Sequence, residues 1–262
     1  MPRVDADRLL GDLRTLRGFG AIGTGVVRLS LSAVDLEARH WLRDRMREAG
    51  LLAEIDGVGN VVGRSPNPGP ALLIGSHSDT QPRGGWLDGA LGVIYGLEVA
   101  RALLDDPATA GLAVDPVAWV DEEATFLSCF GSRAYCGLLD RSDIDRASDA
   151  DGRPLTEALD RAGLGGLPAA ARPEPGRHVG YLEGHIEQGA NLERDALHIG
   201  VVEAIVGIRS FDIHFTGEQN HAGSTPMPLR RDAGMALLRF GARLDDRFRE
   251  LAGPRTVWTM GG

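Results

Sequence analysis

The sequence predicts an α/β fold, on the evidence of three consecutive segments. Residues 71–75 form a short apolar run, which is typical of a buried parallel strand. Residues 89–104 repeat apolar side chains at helical spacing, and residues 114–120 form a second strand-like run. A strand, a helix and a strand in this order indicate a right-handed crossover within one sheet.

An amphipathic helix precedes the first of these strands. Its apolar stripe recurs at three- and four-residue spacing and consists of Val34, Ala38, Leu42, Met46 and Ala49. Ser32 is expected to cap the start of this helix, and Gly50 is expected to end it. Residues 53–63 then have the pattern of extended chain, with a break at Gly59-Asn60.

The later part of the chain continues with strands and helices. Residues 140–177 are polar and rich in Ala, Gly and Pro, which predicts short helices and loops. Residues 181–187 are predicted to be extended, and residues 200–217 alternate like a pair of strands. Residues 231–251 are predicted to form an amphipathic helix, and a domain boundary is expected near residues 205–207.

The composition is that of a folded, acidic protein. The chain has 262 residues, of which 43% are apolar and 25% charged, and its formal net charge is −9. Nucleic acids and anionic membranes are therefore disfavoured as partners, since both attract clustered basic side chains. No apolar run approaches the ~18 residues of a membrane-spanning helix. The polar start lacks the apolar segment of a signal peptide, and two cysteines are too few for a disulfide framework, so we expect a cytoplasmic protein.

Side chains that bind metal ions follow the apolar strands. His77 follows the first strand, and Asp88 comes shortly after it. Glu122 and Glu123 follow the second strand, and His185 lies in the third extended segment. Each residue alone has an ordinary explanation as a turn, a charged surface or a core histidine. Because ligands of α/β sheets bind beyond the carboxyl ends of strands, the combination predicts a site for Zn²⁺, Mn²⁺ or a related ion.

The residue types suggest how such a site could work. The two oxygens of Asp88 could bridge two ions, which together activate water and polarise a carbonyl group. The carboxylate of Asp79 could accept the second N–H of the His77 ring and fix its orientation. If the strand continued through Glu122 and Glu123, their side chains would point in different directions. One could then bind metal while the other stays free as a general base.

Six short motifs occur in order along the chain. They are Gly-Ser-His-Ser-Asp-Thr (75–80), Asp-Gly-Ala-Leu-Gly (88–92), Asp-Glu-Glu (121–123), Gly-Ser-Arg-Ala (131–134), His-Ile-Glu-Gln-Gly (185–189) and His-Ala-Gly-Ser-Thr-Pro-Met (221–227). In this order they resemble the hydantoinase/carbamoylase family of amidases. This branch of the M20 metallopeptidase-like group includes N-carbamoyl-L-amino acid hydrolases and allantoate amidohydrolases. The resemblance covers nearly the whole chain.

The resemblance implies a role for each matching residue. The metal ligands would be His77, Asp88 as the bridge, Glu123 and His185, with Glu122 as the general base. Gln188 and His221 would face the substrate, and His221 would polarise its carbonyl group or stabilise the oxyanion. The implied cofactor is a pair of divalent ions per subunit, Zn or Mn, with Co or Ni possible. The implied reaction is hydrolysis of a linear C–N bond in a ureido or N-carbamoyl compound.

The resemblance also implies the architecture. Residues 1–206 would form an M20-type α/β catalytic domain around a central mixed sheet. Residues 207–262 would form part of an α+β dimerisation (lid) domain, and the full-length protein would be a homodimer. Family members are substantially longer than this chain, so we expect it to be a C-terminally truncated fragment.

Two local departures from the family pattern leave alternatives open. The chain has Ala-Thr-Phe-Leu at residues 124–127, where the family commonly has Gly-Ser-Arg-Phe, and Ala190 replaces the usual proline. An M20-type aminopeptidase or acylase is the nearest alternative function. An inactive remnant that acts through a binding partner is a further one.

Overall fold

The structure of the chain, a computed structural model, describes residues 1–164 and 176–261. It divides into two units, Met1–His198 and Ile199–Gly262. The predicted domain boundary at residues 206–207 stays a prediction. Within the described ranges, no helix has the length and apolarity that crossing a bilayer requires.

The first unit contains strands and helices in alternation. Its strands are β1 (Ala21–Ile22), β2 (Gly25–Val26), β3 (Leu52–Ile55), β4 (Val61–Arg64), β5 (Ala71–His77), β6 (Ala113–Trp119) and β7 (His178–Leu182). Its helices are α1 (Ala6–Gly18), α2 (Ala33–Glu48), α3 (Ala90–Asp105), α4 (Phe130–Tyr135), α5 (Arg141–Arg146), α6 (Leu155–Arg161) and α7 (Asn191–Arg194).

A five-stranded mixed sheet organises this unit, in the order β3-β4-β6-β5-β7. Strand β5 is parallel to both β6 and β7, whereas β4 is antiparallel to β3 and to β6. Helix α3 connects β5 to β6, which confirms the predicted crossover. The register pairs His77 with Trp119, so β5 and β6 end side by side. This mixed sheet confirms the α/β fold class.

The two faces of the sheet have separate apolar clusters. Ile74 of β5 belongs to the main core with residues of α1, α2 and α3, whereas its neighbour Leu73 packs with Trp119 and Tyr135. This alternation is the period-two pattern of a strand that is buried on both faces. Helix α3 approaches β5 closely at Gly96, where a Cβ atom would overlap the carbonyl oxygen of Ile74.

Most predicted elements of this unit are confirmed with small shifts of their bounds, but the extended segment predicted at residues 181–187 overlaps strand β7 (His178–Leu182) only at residues 181–182. Ser32 caps α2 and accepts a hydrogen bond from the backbone N–H of Asp35. The extended residues 53–63 form the β3–β4 hairpin, and α5 and α6 are the predicted short helices. Residues 165–175 of the predicted loop region lie outside the described residues. Helix α1 and the small β1–β2 hairpin were not predicted.

The second unit contains the 3₁₀ turn Met227–Leu229 and helix α8 (Ala233–Leu251). Asp232 caps α8, which confirms the predicted helix. The prediction of a strand pair over residues 200–217 is wrong, because this segment has no regular secondary structure. Its alternating apolar side chains are exposed, with Ile208 at 79% and Phe211 at 82%. A strand needs a paired neighbour, and the described residues supply none to this segment.

A buried ion cluster links the start of β7 to β6 across the intervening strand β5. The carboxylate of Asp115, fully buried in β6, accepts two hydrogen bonds from Arg177 at 2.7 and 2.9 Å and one from the backbone N–H of Ser65 at 2.8 Å. His178 Nε2 lies 2.9 Å from the same carboxylate. Burial alone would raise the pKa of Asp115, but the bonds from His178, Arg177 and Ser65 lower it to about 2.

Replacing Asp115 with asparagine is expected to destabilise the chain by about 3 kcal/mol at pH 7, because Arg177 loses its buried counter-charge. Since the folded pKa of Asp115 is depressed, its contribution is complete above the unfolded pKa. This contribution is lost as the pH falls from about 4 to about 2. Over that range the free energy of unfolding of the wild type should fall by about 2–3 kcal/mol because of Asp115. Urea denaturation at pH 7 and between pH 4 and pH 2 measures both effects.

Asp105→Asn is the matched control. Its side chain is 69% exposed and pairs only loosely with Arg8, so its effect should stay below about 1 kcal/mol. Equal stability of Asp115→Asn and Asp105→Asn at pH 7 would contradict the structural role of the cluster.

Candidate metal centre

Three strand ends bring the predicted ligands to one edge of the sheet. His77 is the last residue of β5, and Trp119 beside it is the last residue of β6, so Glu122 and Glu123 follow at the same edge. Strand β7 ends at Leu182, shortly before His185. The carboxyl ends of these three parallel strands therefore supply four of the five predicted side chains.

Asp88 reaches the same place through the start of α3. Gly89 caps this helix with a φ of +62°, and a Cβ atom on it would overlap the ring and the carbonyl oxygen of His77. Only glycine allows this approach without strain. As a result, Asp88 Oδ1 lies 3.9 Å from His77 Nε2 and 3.1 Å from His185 Nε2.

The hydrogen bonds of the two imidazoles leave both Nε2 atoms available. His77 Nδ1 lies 2.9 Å from the backbone carbonyl oxygen of Asp79, and His185 Nδ1 lies 2.8 Å from that of Ile186. Because a carbonyl oxygen only accepts, each neutral ring carries its proton on Nδ1. The unprotonated Nε2 atoms then face Asp88, which is the arrangement of metal-binding histidines.

Asp88 itself provides a test of whether these residues suit a cation. Its Oδ2 accepts a hydrogen bond from Gln188 Nε2 at 2.7 Å, whereas its Oδ1 is buried and has no hydrogen-bond partner among the described residues. A buried carboxylate oxygen without a donor is costly, and a cation removes that cost. The donor set of imidazole and carboxylate therefore fits a divalent ion such as Zn²⁺ or Mn²⁺.

Two overlapping groups of potential ligands meet at His77. One consists of His77, Asp88 and His185, and the other of His77, Glu122 and Glu123. Within each group the ligand atoms lie within 4.8 Å of one another. The structure thus brings all five predicted metal-site and base residues together within the first unit.

The structure corrects two expectations about orientation. The carboxylate of Asp79 lies 3.9 Å from His77 Nδ1, and the backbone carbonyl oxygen of Asp79 accepts the ring N–H instead. The Asp79 carboxylate binds the backbone N–H groups of Glu122 at 3.4 Å and Glu123 at 3.1 Å. Because β6 ends at Trp119, the Glu122 and Glu123 side chains do not alternate and both reach the His77 group.

The two glutamates have different surroundings. Glu122 Oε2 lies 3.6 Å from His77 Nε2. Burial raises the pKa of Glu122, His77 lowers it, and the carboxylate of Glu123 raises it again, with a net upward shift. Gln81 Nε2 donates to Glu123 at both its Oε2 (2.8 Å) and its backbone carbonyl oxygen (2.9 Å). Gln81 therefore fixes the Glu123 side chain, whereas the Glu122 side chain lies near His77 and accepts a weak hydrogen bond from the Cys129 thiol at 3.9 Å.

The two predicted substrate residues have different outcomes. Gln188 donates to Asp88, so the structure shows it in contact with a candidate metal ligand. His221 belongs to the second unit, where its Nδ1 accepts from the backbone N–H groups of Gly223 and Ser224 at 3.1 Å each. The neutral His221 ring therefore carries its proton on Nε2, which is free to donate. Their substrate contacts stay predictions.

Gln81 was not predicted, although it lies in the same segment as His77. It also lines a cavity of about 570 Å³ together with Glu123, Thr125 and Ser30. A cavity of this size holds a small organic molecule. His77, Asp88 and His185 are not part of its lining.

Comparison with known proteins identifies relatives of the whole chain. A family model described as Peptidase family M28 matches residues 58–152. An N-carbamoyl-L-amino-acid amidohydrolase from Paenarthrobacter aurescens is 37% identical over 240 residues, which are 89% of this chain and 58% of that protein. An allantoate amidohydrolase from Escherichia coli is 35% identical over 252 residues, 94% of this chain and 61% of that protein.

The solved structures agree with the sequence relatives. An amidase of the hydantoinase/carbamoylase family from Burkholderia phymatum is 58% identical, with a TM-score of 0.86 over 100% of this chain and 65% of that one. This chain spans less than two thirds of the length of the relatives it matches. The sequence identity and the likeness of fold extend along the whole chain, which is therefore similar over its full length to amidases of the hydantoinase/carbamoylase family.

Proposed function

We propose that this protein is a metal-dependent amidohydrolase that cleaves a linear C–N bond of an N-carbamoyl amino acid or a ureido compound such as allantoate. The observation that carries this proposal is the buried, unpartnered Oδ1 of Asp88 between the Nε2 atoms of His77 and His185. The names of the relatives from P. aurescens and E. coli support the substrate class.

In this proposal His77, Asp88, Glu123 and His185 hold up to two divalent ions, Zn or Mn, with Co or Ni as further candidates. Bound ions of this kind polarise a substrate carbonyl group and make water more acidic. Asp88 has two oxygens with which to bridge, and its contact with Gln188 fixes the plane of the carboxylate.

Glu122 carries the proton through the reaction. It accepts a proton from the attacking water and delivers it to the nitrogen that leaves, so that ammonia is released. With an N-carbamoyl substrate, carbon dioxide leaves as well. Its raised pKa suits this role, because a base that must also act as an acid works best with a pKa near the working pH.

Two residues are proposed to contact the substrate. Gln188 already points its amide at Asp88, and its carbonyl oxygen is a further acceptor for a substrate N–H group. His221 carries an N–H on Nε2, which suits donation to the oxygen that becomes negatively charged during attack. By resemblance, the full-length protein is proposed to be a cytoplasmic homodimer.

The match to a peptidase model favours a second candidate, an aminopeptidase or acylase that uses the same metal centre. The two functions separate by substrate. We expect turnover of N-carbamoyl amino acids or allantoate and none of dipeptides, measured as ammonia or amino acid released from each substrate. Turnover of dipeptides alone would replace the proposal by the second candidate. Metal binding without any turnover would indicate an inactive remnant.

The base assignment is tested with Glu122→Gln. Loss of the proton carrier should reduce kcat by about 10²–10⁴-fold. The metal content per chain should stay that of the wild type. Turnover assays and elemental analysis on the same preparation measure both quantities. Loss of the metal in Glu122→Gln would instead identify Glu122 as a ligand.

The ligand role of Asp88 is tested without activity. Zn²⁺ at about 100 times its Kd should stabilise the chain by about 2.7 kcal/mol and raise Tm by about 5–10 °C. In Asp88→Asn this shift should fall below about 2 °C, because the bridging oxygen is lost. Asp105→Asn, an exposed change of the same kind, should keep the full shift. A full shift in Asp88→Asn would contradict the site.

A further inference from the structure

Four side chains form a hydrogen-bonded network beside the candidate metal centre, here called the strand-end network: Ser76, Trp119, Tyr181 and Glu183. The Tyr181 hydroxyl accepts from Trp119 Nε1 at 3.0 Å and lies 2.7 Å from Glu183 Oε2. The Ser76 hydroxyl donates to Glu183 Oε1. Nothing in the family motifs quoted above assigns a role to Glu183.

Three members of the strand-end network lie within three residues of a candidate site residue in the chain, and the fourth, Tyr181, lies in β7. Ser76 directly precedes His77, at the end of β5. Trp119 ends β6, shortly before Glu122. Glu183 lies two residues before His185, after the end of β7. The network therefore joins the three strand ends that carry the site.

The segment that carries His185 has few other attachments. The β5–β7 ladder ends at the pair Ile74–Leu182, and no backbone pair of this ladder follows it among the described residues. Gly184 lies against α3, where a Cβ atom on Gly92 would overlap its carbonyl oxygen. The hydrogen bond between Ser76 and Glu183 is thus the first side-chain link between β5 and this segment beyond the ladder.

We propose that Glu183 is a positioning residue, which fixes the segment after β7 so that His185 Nε2 faces Asp88 at metal-binding distance. This inference rests on the proposed metal-dependent function. We expect its effect to be geometric, because the Glu183 carboxylate hydrogen-bonds to the hydroxyls of Ser76 and Tyr181, while it acts on Glu122 through its charge, which is a minor contribution to the raised pKa of that carboxyl. Partners that orient metal-binding side chains in this way typically change the metal affinity by 10–100-fold when they are removed.

The test measures Zn²⁺ affinity of the 262-residue chain by isothermal titration, with the Tm of the metal-free chain recorded for each variant. Glu183→Ala should bind Zn²⁺ about 10–100-fold more weakly than the wild type. Glu183→Gln should recover to within about threefold, because an amide can still bond both hydroxyls. Glu193→Ala, which removes an exposed carboxylate of α7, should bind like the wild type.

Each other outcome has one meaning. Unchanged affinity in Glu183→Ala overturns the inference while leaving the metal site intact. If Glu183→Gln and Glu183→Ala weaken Zn²⁺ binding equally, the inference is also overturned, since the charge of Glu183 and not its hydrogen bonds would then determine the Zn²⁺ affinity. A wild type that binds no Zn²⁺ contradicts the proposed function itself. If Glu183→Ala does not fold, Tyr181→Phe replaces it as the test variant. Tyr181→Phe removes one hydroxyl from the strand-end network and should weaken Zn²⁺ binding about 2–10-fold. An unchanged Zn²⁺ affinity in Tyr181→Phe would overturn the inference.

Discussion

The close approach of the α3 N-terminus to His77 is the constraint on which the site depends. Gly89 adopts a left-handed φ of +62° directly against the His77 ring, so no larger residue fits there. This contact places Asp88 beside two imidazoles and buries one of its oxygens without a donor. The fold thus buries an Asp88 oxygen at a cost in free energy when no cation is present, and a neighbouring cation would remove that cost. The strand register and the packing of α3 on β5 both support this one arrangement.

Buried charges behind the sheet edge hold the glutamate pair. Arg39 of α2 is fully buried, pairs with Asp35 at 2.7 Å, donates to the carbonyl oxygen of Trp119 and lies 3.8 Å from Asp79. The carboxylate of Asp79 in turn accepts hydrogen bonds from the backbone N–H groups of Glu122 and Glu123. Burying such charges costs stability unless every partner is in place. The chain of contacts from α2 to Glu122 therefore sets the position of the glutamate pair.

The sequence predicted the positions that follow from local pattern. The end of β5, the cap at Ser32 and the gathering of His77, Asp88 and His185 depend on strand periodicity and on side-chain chemistry, which a sequence shows directly. The strand pair over residues 200–217 was wrong because a strand also needs a neighbour, which no local pattern reveals. Likewise, the choice between the carbonyl oxygen and the carboxylate of Asp79 depends on how the backbone turns after β5. That turn is a property of the packed structure.

Asp121 anchors the loop in which this chain departs from the family pattern after the glutamate pair. Asp121 is fully buried, and one of its oxygens accepts from the backbone N–H groups of Phe126 and Leu127 at 3.0 and 2.7 Å. Burial raises the pKa of Asp121 to about 6, and the bond from Leu127 opposes this rise. The loop after Glu123 is therefore folded back on the Asp121 carboxylate through its backbone, and the side chains of Phe126 and Leu127 also pack against a buried apolar cluster. Asp79 and Asp121 together hold the loop from both ends, and Ala124 within it adopts the left-handed φ of +60° that glycine accommodates best.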